Sequence, residues 1–124
     1  METGDKEKIE KIIGDRKEAH NNLLRRGSRV YRGFLEMEKH AYADGALKKK
    51  YKELIAIGIS IVINCESCLE WHTREALENG ASEAEIIEAI EVGIEMGGGP
   101  ATVTARFALK VLDYYGKKNK SQSI

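Results

Sequence analysis

The sequence has little proline, few large aromatic residues and few cysteines. Its 124 residues include one proline, one tryptophan, two phenylalanines and two cysteines. Two cysteines are too few for a disulfide-stapled scaffold, and a chain of this length forms a core without one. The longest apolar run, Leu54 to Ile63, has 10 residues, which is far short of the roughly 20 that a membrane helix needs. The composition therefore excludes secreted disulfide-rich and membrane-spanning classes.

Net charge is also lacking, since 20 basic side chains balance 20 acidic ones. This balance argues against a nucleic-acid-binding protein, which needs a clustered basic excess. The charges are unevenly distributed: residues 1–64 carry 14 basic and 10 acidic side chains, residues 65–98 carry 1 and 9, and residues 99–124 carry 5 and 1. Such a pattern either steers packing between segments or reflects solvated helix faces. From sequence we favour solvated faces.

The length fits one domain of roughly 100–200 residues, and we expect a single domain over residues 1–124. The first residues are charged and no apolar signal region follows them, so we expect a cytoplasmic protein. In that reducing compartment, Cys65 and Cys68 are expected to be redox-active or metal-binding rather than a structural disulfide.

Apolar residues recur at helical spacing along most of the chain, which predicts an all-α fold. Glycines mark the expected helix ends, and small polar residues or proline mark the following starts. The stop signals are Gly27, Gly45, Gly80 and Gly97 to Gly99, and the start signals are Ser28, the capping box Ser82 with Glu85, and Pro100. These signals divide the chain into about six helices.

The segment from Leu54 to Ile63 is rich in β-branched residues, so propensity alone favours a strand. No other segment resembles a strand that could pair with it. A lone strand leaves its backbone groups unpaired, whereas a helix satisfies them internally. We therefore predict a helix here.

The most informative residues are Cys65, Cys68 and His72, with Glu53 upstream. If the cysteines open a helix, its unpaired backbone amides and dipole stabilise a thiolate. His72 follows Cys68 by four residues, so both lie on one helix face and the imidazole can accept the thiol proton. Two thiols can also cycle two electrons without a prosthetic group, so neither an organic cofactor nor a metal is expected.

The pattern Glu53-x11-Cys65-x2-Cys68-x3-His72 resembles the active site of the alkylhydroperoxidase D group of the carboxymuconolactone decarboxylase-like family. Residues 42–47, 76–81 and 96–101 resemble that family too. The resemblance implies a single all-α bundle with N-terminal helices in 5–45 and a redox core in 47–116, assembled as a homotrimer or homohexamer. The polar tail, residues 117–124, is expected to fray.

By the same resemblance, Cys68 would be the peroxide-attacking thiolate, Cys65 its resolving partner, and His72 with Glu53 the proton relay. The expected function is a thiol-dependent antioxidant peroxidase or disulfide reductase that acts on a hydroperoxide or disulfide and takes electrons from a thiol donor. Ser67 is a departure, because the best-known relatives have histidine there. A hydroxyl can relay a proton but cannot hold one near neutral pH, so general thiol–disulfide chemistry is better supported than peroxidase activity.

Other interpretations remain open at this stage. Cys65, Cys68 and His72 could hold zinc with Glu53 as a fourth ligand. The family also contains lactone decarboxylases, although those generally lack the cysteine pair. A non-catalytic scaffold protein is another alternative. Trp71 is expected in the core or an interface, and His20 and His40 are expected to face solvent.

The relay itself makes a geometric prediction. In a simple antiparallel hairpin that turns near Asn64, Glu53 and His72 are offset by about 5 Å along the helix axes, so contact is marginal. We nevertheless predict that Glu53 accepts a hydrogen bond from His72 and fixes its tautomer, because the resemblance places both residues in one relay.

Overall fold

The structure is a computed structural model that describes the backbone of residues 1–122 and the side chains of residues 1–116. It contains six helices and, within the described residues, no strand. The helices are α1 (Thr3–Arg25), α2 (Arg29–Ala41), α3 (Lys49–Val62), α4 (Glu66–Glu78), α5 (Glu83–Gly97) and α6 (Gly99–Gln122). The predicted all-α class is confirmed. The side chains of residues 117–124, the tail that is predicted to fray, lie outside the part of the chain that the structure describes.

Most helices begin or end near the signals in the sequence, but α2 ends at Ala41, four residues before the expected stop at Gly45. The hydroxyl of Ser28 accepts a hydrogen bond from the backbone N–H of Tyr31, which caps α2. Ser82 and Glu85 form the predicted reciprocal capping box of α5. Gly80 adopts φ +94°, a conformation that most side chains disfavour. Pro100 is one position later than expected, because α6 begins at Gly99.

Helix α3 is the centre of the bundle, and it packs against both α4 and α5. Its β-branched residues therefore contribute to a helical core rather than a sheet, with Ile57 and Ile61 almost completely buried. The helices α3 and α5 cross closely at Gly93, where a Cβ atom would lie 2.7 Å from Cβ of Ile61 and 2.8 Å from the carbonyl oxygen of Gly58. The predicted helix over 54–63 is confirmed.

The turn between α3 and α4 orients the cysteine motif. Asn64 adopts the left-handed φ of +56°, and the N–H of Cys65 then donates to the carbonyl of Ser60, 3.1 Å away. The hydroxyl of Thr104 on α6 donates to the side-chain oxygen of Asn64 over 2.9 Å. These contacts, typical of a helix that ends in a left-handed residue, fix the angle at which α4 starts.

Helix α1 lies across α4 and brings basic side chains to its acidic surface. Lys8 is paired with Glu66 at 2.9 Å, and Arg16 is paired with the buried Glu70. From α3, Lys50 reaches Glu85 on α5 at 3.1 Å. Basic and acidic segments thus pair across helices. Lys8 and Glu66 remain solvated, as expected, with side chains 51% and 41% exposed, whereas Glu70 is buried.

Not every apolar residue predicted to face the core does so. Val30 and Phe34 on α2 are 85% and 49% exposed, and Val103 on α6 is 54% exposed. Helix α2 contains no buried residue and packs only against α1. In the part of the chain that the structure describes, no helix is both long enough and apolar enough to cross a membrane.

Candidate functional site

The two cysteines stand at the N-terminus of α4 and are joined by a disulfide, with their Cα atoms 5.2 Å apart. Cys65 is the N-cap residue, and its sulfur accepts a hydrogen bond from the backbone N–H of Cys68 over 3.2 Å. Cys68 lies in the first helical turn, where unpaired amides and the helix dipole favour negative charge. The predicted position of the pair at a helix start is confirmed.

His72, one turn after Cys68, contacts Glu53 across the α3–α4 hairpin. Its Nδ1 lies 2.6 Å from Oε1 of Glu53, whose side chain is only 1% exposed. The predicted Glu53–His72 contact is therefore confirmed. An ionised carboxylate only accepts hydrogen bonds, so Nδ1 carries the hydrogen and Nε2 of the neutral ring has a free lone pair.

Lys49 keeps Glu53 ionised. Its ammonium lies 2.9 Å from the second carboxylate oxygen, Oε2, and 3.7 Å from Glu75. Burial opposes ionisation of Glu53, but the hydrogen bonds and charges of His72 and Lys49 outweigh burial and hold its pKa below the ordinary 4.5. Burial would lower the pKa of Lys49, but Glu53 and Glu75 raise it above its ordinary 10.5.

Tyr42 covers the outer face of this relay. Its ring stacks on that of His72 with centroids 5.4 Å apart, and the Lys49 ammonium lies 5.5 Å from its centre. Burial and the nearby carboxylates Glu53 and Glu38 raise the pKa of the Tyr42 phenol. The phenol therefore stays protonated, and its ring restricts the imidazole to one orientation.

A cavity of about 540 Å³ opens in front of Cys68 and His72. Its walls come from α1, α2 and α4 and combine aromatic and aliphatic surface with a few polar groups. The lining residues are Arg16, Lys17, His20, Asn21, Tyr31, Phe34, Leu35, Glu38, Ser67, Cys68, Trp71 and His72. A substrate in this cavity would lie against both Cys68 and His72.

A second cluster lies beside the motif, around the completely buried Glu70. Its carboxylate binds the guanidinium of Arg16 and accepts a hydrogen bond from the hydroxyl of Tyr115. Arg74 lies 3.8 Å from the same carboxylate. Burial and the charge of Glu70 raise the pKa of Tyr115, so its hydroxyl stays protonated and donates.

Ser67 is bound by Arg16 rather than aligned with the relay. The guanidinium donates to the carbonyl oxygen of Ser67 over 2.8 Å and to its hydroxyl over 3.0 Å. Trp71 is only partly buried, so it is not in the core; it lines the cavity, with Arg16 and Arg74 near its ring at 5.3 and 4.6 Å.

Two further histidine predictions have different outcomes. His40 is exposed as expected and pairs with Glu36 at 3.0 Å. His20 is not solvent-facing: it is half-buried, its Nδ1 lies 2.5 Å from the hydroxyl of Tyr31, and it lines the cavity. In the residues that the structure describes, no group of three or more His, Cys, Asp or Glu side chains is arranged to hold a metal ion.

The structure therefore brings together Glu53, Cys65, Cys68 and His72. Sequence reasoning missed the residues that hold this group. They are Arg16, Tyr42, Lys49, Glu70 and Tyr115. The spacing of Lys49 four residues before Glu53 was a usable signal for a helical ion pair. Glu70 likewise precedes Arg74 by four residues, but nothing local in the sequence indicates Arg16, Tyr42 or Tyr115.

Comparison with known proteins agrees with this fold. Residues 28–111 match the family model described as the carboxymuconolactone decarboxylase family, and the chain belongs to that family. It is 43% identical over 89 residues to uncharacterized protein 4 in the cox locus of Paracoccus denitrificans, covering 72% of this chain and 80% of that one. It is 37% identical over 86 residues to the uncharacterized protein H16_B0147 of Cupriavidus necator, covering 69% and 74%.

Solved structures of the family have the same fold. A carboxymuconolactone decarboxylase family protein of Legionella pneumophila, lpg0406, is 29% identical with a TM-score of 0.83, over 87% of this chain and 96% of that one. The Thermotoga maritima protein TM1620 is 28% identical with the same TM-score, over 92% and 97%. An involvement in antioxidative response has been suggested for TM1620.

Proposed function

We propose that this protein is a thiol-dependent antioxidant oxidoreductase that reduces organic hydroperoxides or disulfides through Cys65 and Cys68. One observation carries the proposal: Cys68 and a histidine oriented by a buried carboxylate line the same cavity. A nucleophile, a base and a group that orients the base are the parts that covalent catalysis requires. The suggested role of TM1620 in antioxidative response agrees with this assignment.

The proton relay activates the thiol. In the reduced protein, Nε2 of His72 accepts the proton of Cys68, and Glu53 stabilises the resulting imidazolium. The amides at the start of α4 stabilise the thiolate. The same imidazolium later returns a proton to the leaving group.

With a hydroperoxide, the Cys68 thiolate attacks the terminal oxygen and the O–O bond breaks. The sulfur becomes a sulfenic acid, and the departing alkoxide takes a proton from His72 to leave as an alcohol. The thiol of Cys65 then attacks the Cys68 sulfur and releases water. Two thiols are oxidised to the disulfide and one peroxide bond is reduced, which leaves the chain in the state of the present structure.

With a disulfide substrate, Cys68 forms a mixed disulfide and one thiol leaves. Cys65 then attacks Cys68 and releases the second thiol. Either cycle ends at the Cys65–Cys68 disulfide, which an external thiol donor must reduce. We propose the cytoplasm as the compartment because its thiol pools supply such donors, and the cycle requires neither metal nor organic cofactor.

We also propose that the protein assembles as a homotrimer or homohexamer. Helix α3 presents a row of exposed apolar side chains on one face, at intervals of three and four residues. Exposed apolar residues of α5, the neighbour of α3, extend this surface. The residues are Tyr51, Ile55, Ile59 and Val62 on α3, with Val92 and Met96 on α5. A contiguous apolar surface of this kind is typical of a protein interface.

Steady-state turnover tests the function. The assay supplies an organic hydroperoxide, or an aromatic disulfide that releases a coloured thiol, with a dithiol as reductant. We expect wild-type turnover of at least one substrate, none with Cys68→Ser, and a loss of about a hundredfold with His72→Gln. His40→Gln is the matched control and should leave turnover unchanged. Turnover that survives Cys68→Ser, or a wild-type protein inactive on both substrates, would refute the proposal.

A further inference from the structure

Arg16 brings a permanent positive charge to the residue next to Cys68. Ser67 lies immediately before Cys68. Its hydroxyl cannot take up a further proton near neutral pH, so it carries no positive charge. The guanidinium of Arg16 donates both to the carbonyl oxygen of Ser67 and to its hydroxyl. That carbonyl belongs to the peptide bond joining Ser67 to Cys68, so the positive charge lies close to the cysteine. Both Arg16 and Cys68 line the cavity.

The guanidinium is held in place by a built set of contacts. Glu70, whose side chain is completely buried, pairs with Arg16 through one oxygen. Its other oxygen accepts from Tyr115 and lies near Arg74. Both guanidinium groups lie near the ring of Trp71, at 5.3 and 4.6 Å from its centre. An arginine fixed by a buried carboxylate, a serine and an indole is positioned far more tightly than an exposed cation.

The acidic side chains beside the cysteines are paired with basic ones. Glu66, one residue after Cys65, pairs with Lys8 of α1 at 2.9 Å. Glu70 is opposed by two guanidinium groups, those of Arg16 and Arg74. Across the cavity, Glu38 of α2 and Lys17 of α1 add one charge of each sign. The acidic residues of the motif, which alone would oppose a thiolate, are therefore offset by basic residues of α1 and α4.

We propose that Arg16 is a positioning residue of the redox site: it orients the peptide between Ser67 and Cys68 and supplies the fixed positive charge that stabilises the Cys68 thiolate. The inference rests on the proposed function in taking Cys68 as the attacking thiol. His72 moves the proton, and Arg16 stabilises the anion that remains. The serine at position 67 is then the anchor for this charge rather than a proton relay.

The test measures the rate of alkylation of reduced protein against pH, in a Cys65→Ser background where Cys68 is the only thiol. Serine at position 65 keeps an N-cap oxygen for the N–H of Cys68. Arg16→Gln should raise the Cys68 thiol pKa by about one unit, because an opposite charge is lost nearby. At a pH below both pKa values the alkylation rate should fall about tenfold. Arg16→Lys should recover part of the shift.

Two controls separate charge from a structural effect. Glu70→Gln keeps an oxygen acceptor for Arg16 but removes its negative charge, so the Cys68 pKa should fall or stay at the wild-type value. Lys11→Gln removes an exposed cation of the same helix, paired only with Asp15 at 2.7 Å, and should leave the pKa unchanged. If Arg16→Gln does not fold, Arg16→Lys and Glu70→Gln still test the sign of the effect.

The outcomes are distinct. A raised Cys68 pKa in Arg16→Gln, a lowered or unchanged one in Glu70→Gln, and an unchanged one in Lys11→Gln would support the role of Arg16. Shifts in the same direction, or an Arg16→Gln pKa equal to that of wild type, would overturn it. Alkylation needs no oxidising substrate, so a charge-dependent thiol without hydroperoxide or disulfide turnover would uphold the role of Arg16 while refuting the proposed function.

Discussion

At Glu53, two contacts overcome the cost of burying a carboxylate. One oxygen faces Nδ1 of His72 and the other faces the ammonium of Lys49. The carboxylate therefore carries two separate tasks, since it fixes the imidazole tautomer and also anchors the lysine. Each task can be removed by substitution and measured.

Replacing Glu53 by glutamine should slow turnover without unfolding the protein. The amide can present its NH₂ group to Nδ1, which would place the ring hydrogen on Nε2 and remove the base for Cys68. We expect kcat/KM for a hydroperoxide or disulfide to fall by about one hundredfold, the scale of general-base catalysis. Glu36→Gln, at an exposed carboxylate that pairs with His40, should be unaffected. Unchanged kinetics in Glu53→Gln would remove the carboxylate from the mechanism.

The same carboxylate should make stability depend on pH in a definite direction. Its pKa in the folded protein is held below 4.5, so its ionic contacts contribute fully above the unfolded value. They are lost as pH falls through the lower folded value, because the unfolded chain binds the proton first. Urea unfolding should show a stability difference between wild type and Glu53→Gln that shrinks as the pH falls below about 4.5. A difference that grows below that pH would contradict this assignment.

At the level of helices, the close crossing of α3 and α5 depends on Gly93. A Cβ atom there would meet the carbonyl oxygen of Gly58 at 2.8 Å, and neither helix can shift without repacking Ile57 and Ile61. We expect Gly93→Ala to reduce the free energy of unfolding by about 1–3 kcal/mol. Gly14→Ala in α1, where nothing lies within 4 Å, should instead add about 0.5–1 kcal/mol. Chemical denaturation measures both, and equal effects would argue against the close crossing.

Helix ends could be predicted from sequence because they depend on short-range geometry, whereas the Glu53–His72 contact was predicted from the family resemblance, since hairpin geometry alone left it marginal. Caps, glycine stops and the turn at Asn64 lie within a few residues of what they determine. The helix over 54–63 followed from the absence of any strand partner. In contrast, the Arg16–Glu70 pair joins residues 54 positions apart. Its prediction requires knowing how α1 lies on α4, which no periodic pattern specifies.

Exposure was harder to predict than helix position, for a related reason. Val103 and Phe34 have the spacing of core residues, but whether a face is covered depends on which helices pack on it. Trp71 and His20 line the cavity because α1 and α2 do not close completely over the first turns of α4. The spacing of apolar residues predicts which face of a helix is apolar. Whether another helix covers that face depends on how the whole chain packs.

On the scale of the whole molecule, the apolar row on α3 should hold subunits together. Ile59 is 55% exposed near the middle of this row. Ile59→Glu would place a charge in the proposed interface, where burial without a partner is costly. We expect light scattering to show a trimer or hexamer for wild type and a monomer for Ile59→Glu. Leu109→Glu, at an exposed residue outside the row, should keep the wild-type mass. A monomeric wild-type protein at micromolar concentration would contradict the assembly.

The most direct test of the redox centre is a single turnover followed by mass spectrometry. Reduced protein is mixed with one equivalent of an organic hydroperoxide, or of a disulfide, and quenched at increasing times. The account predicts conversion to the Cys65–Cys68 disulfide with loss of two hydrogen atoms per chain, and Cys65→Ser protein that stops at a sulfenic acid or mixed disulfide on Cys68. Reduced thiols that survive both oxidants, or modification that begins at Cys65, would contradict it.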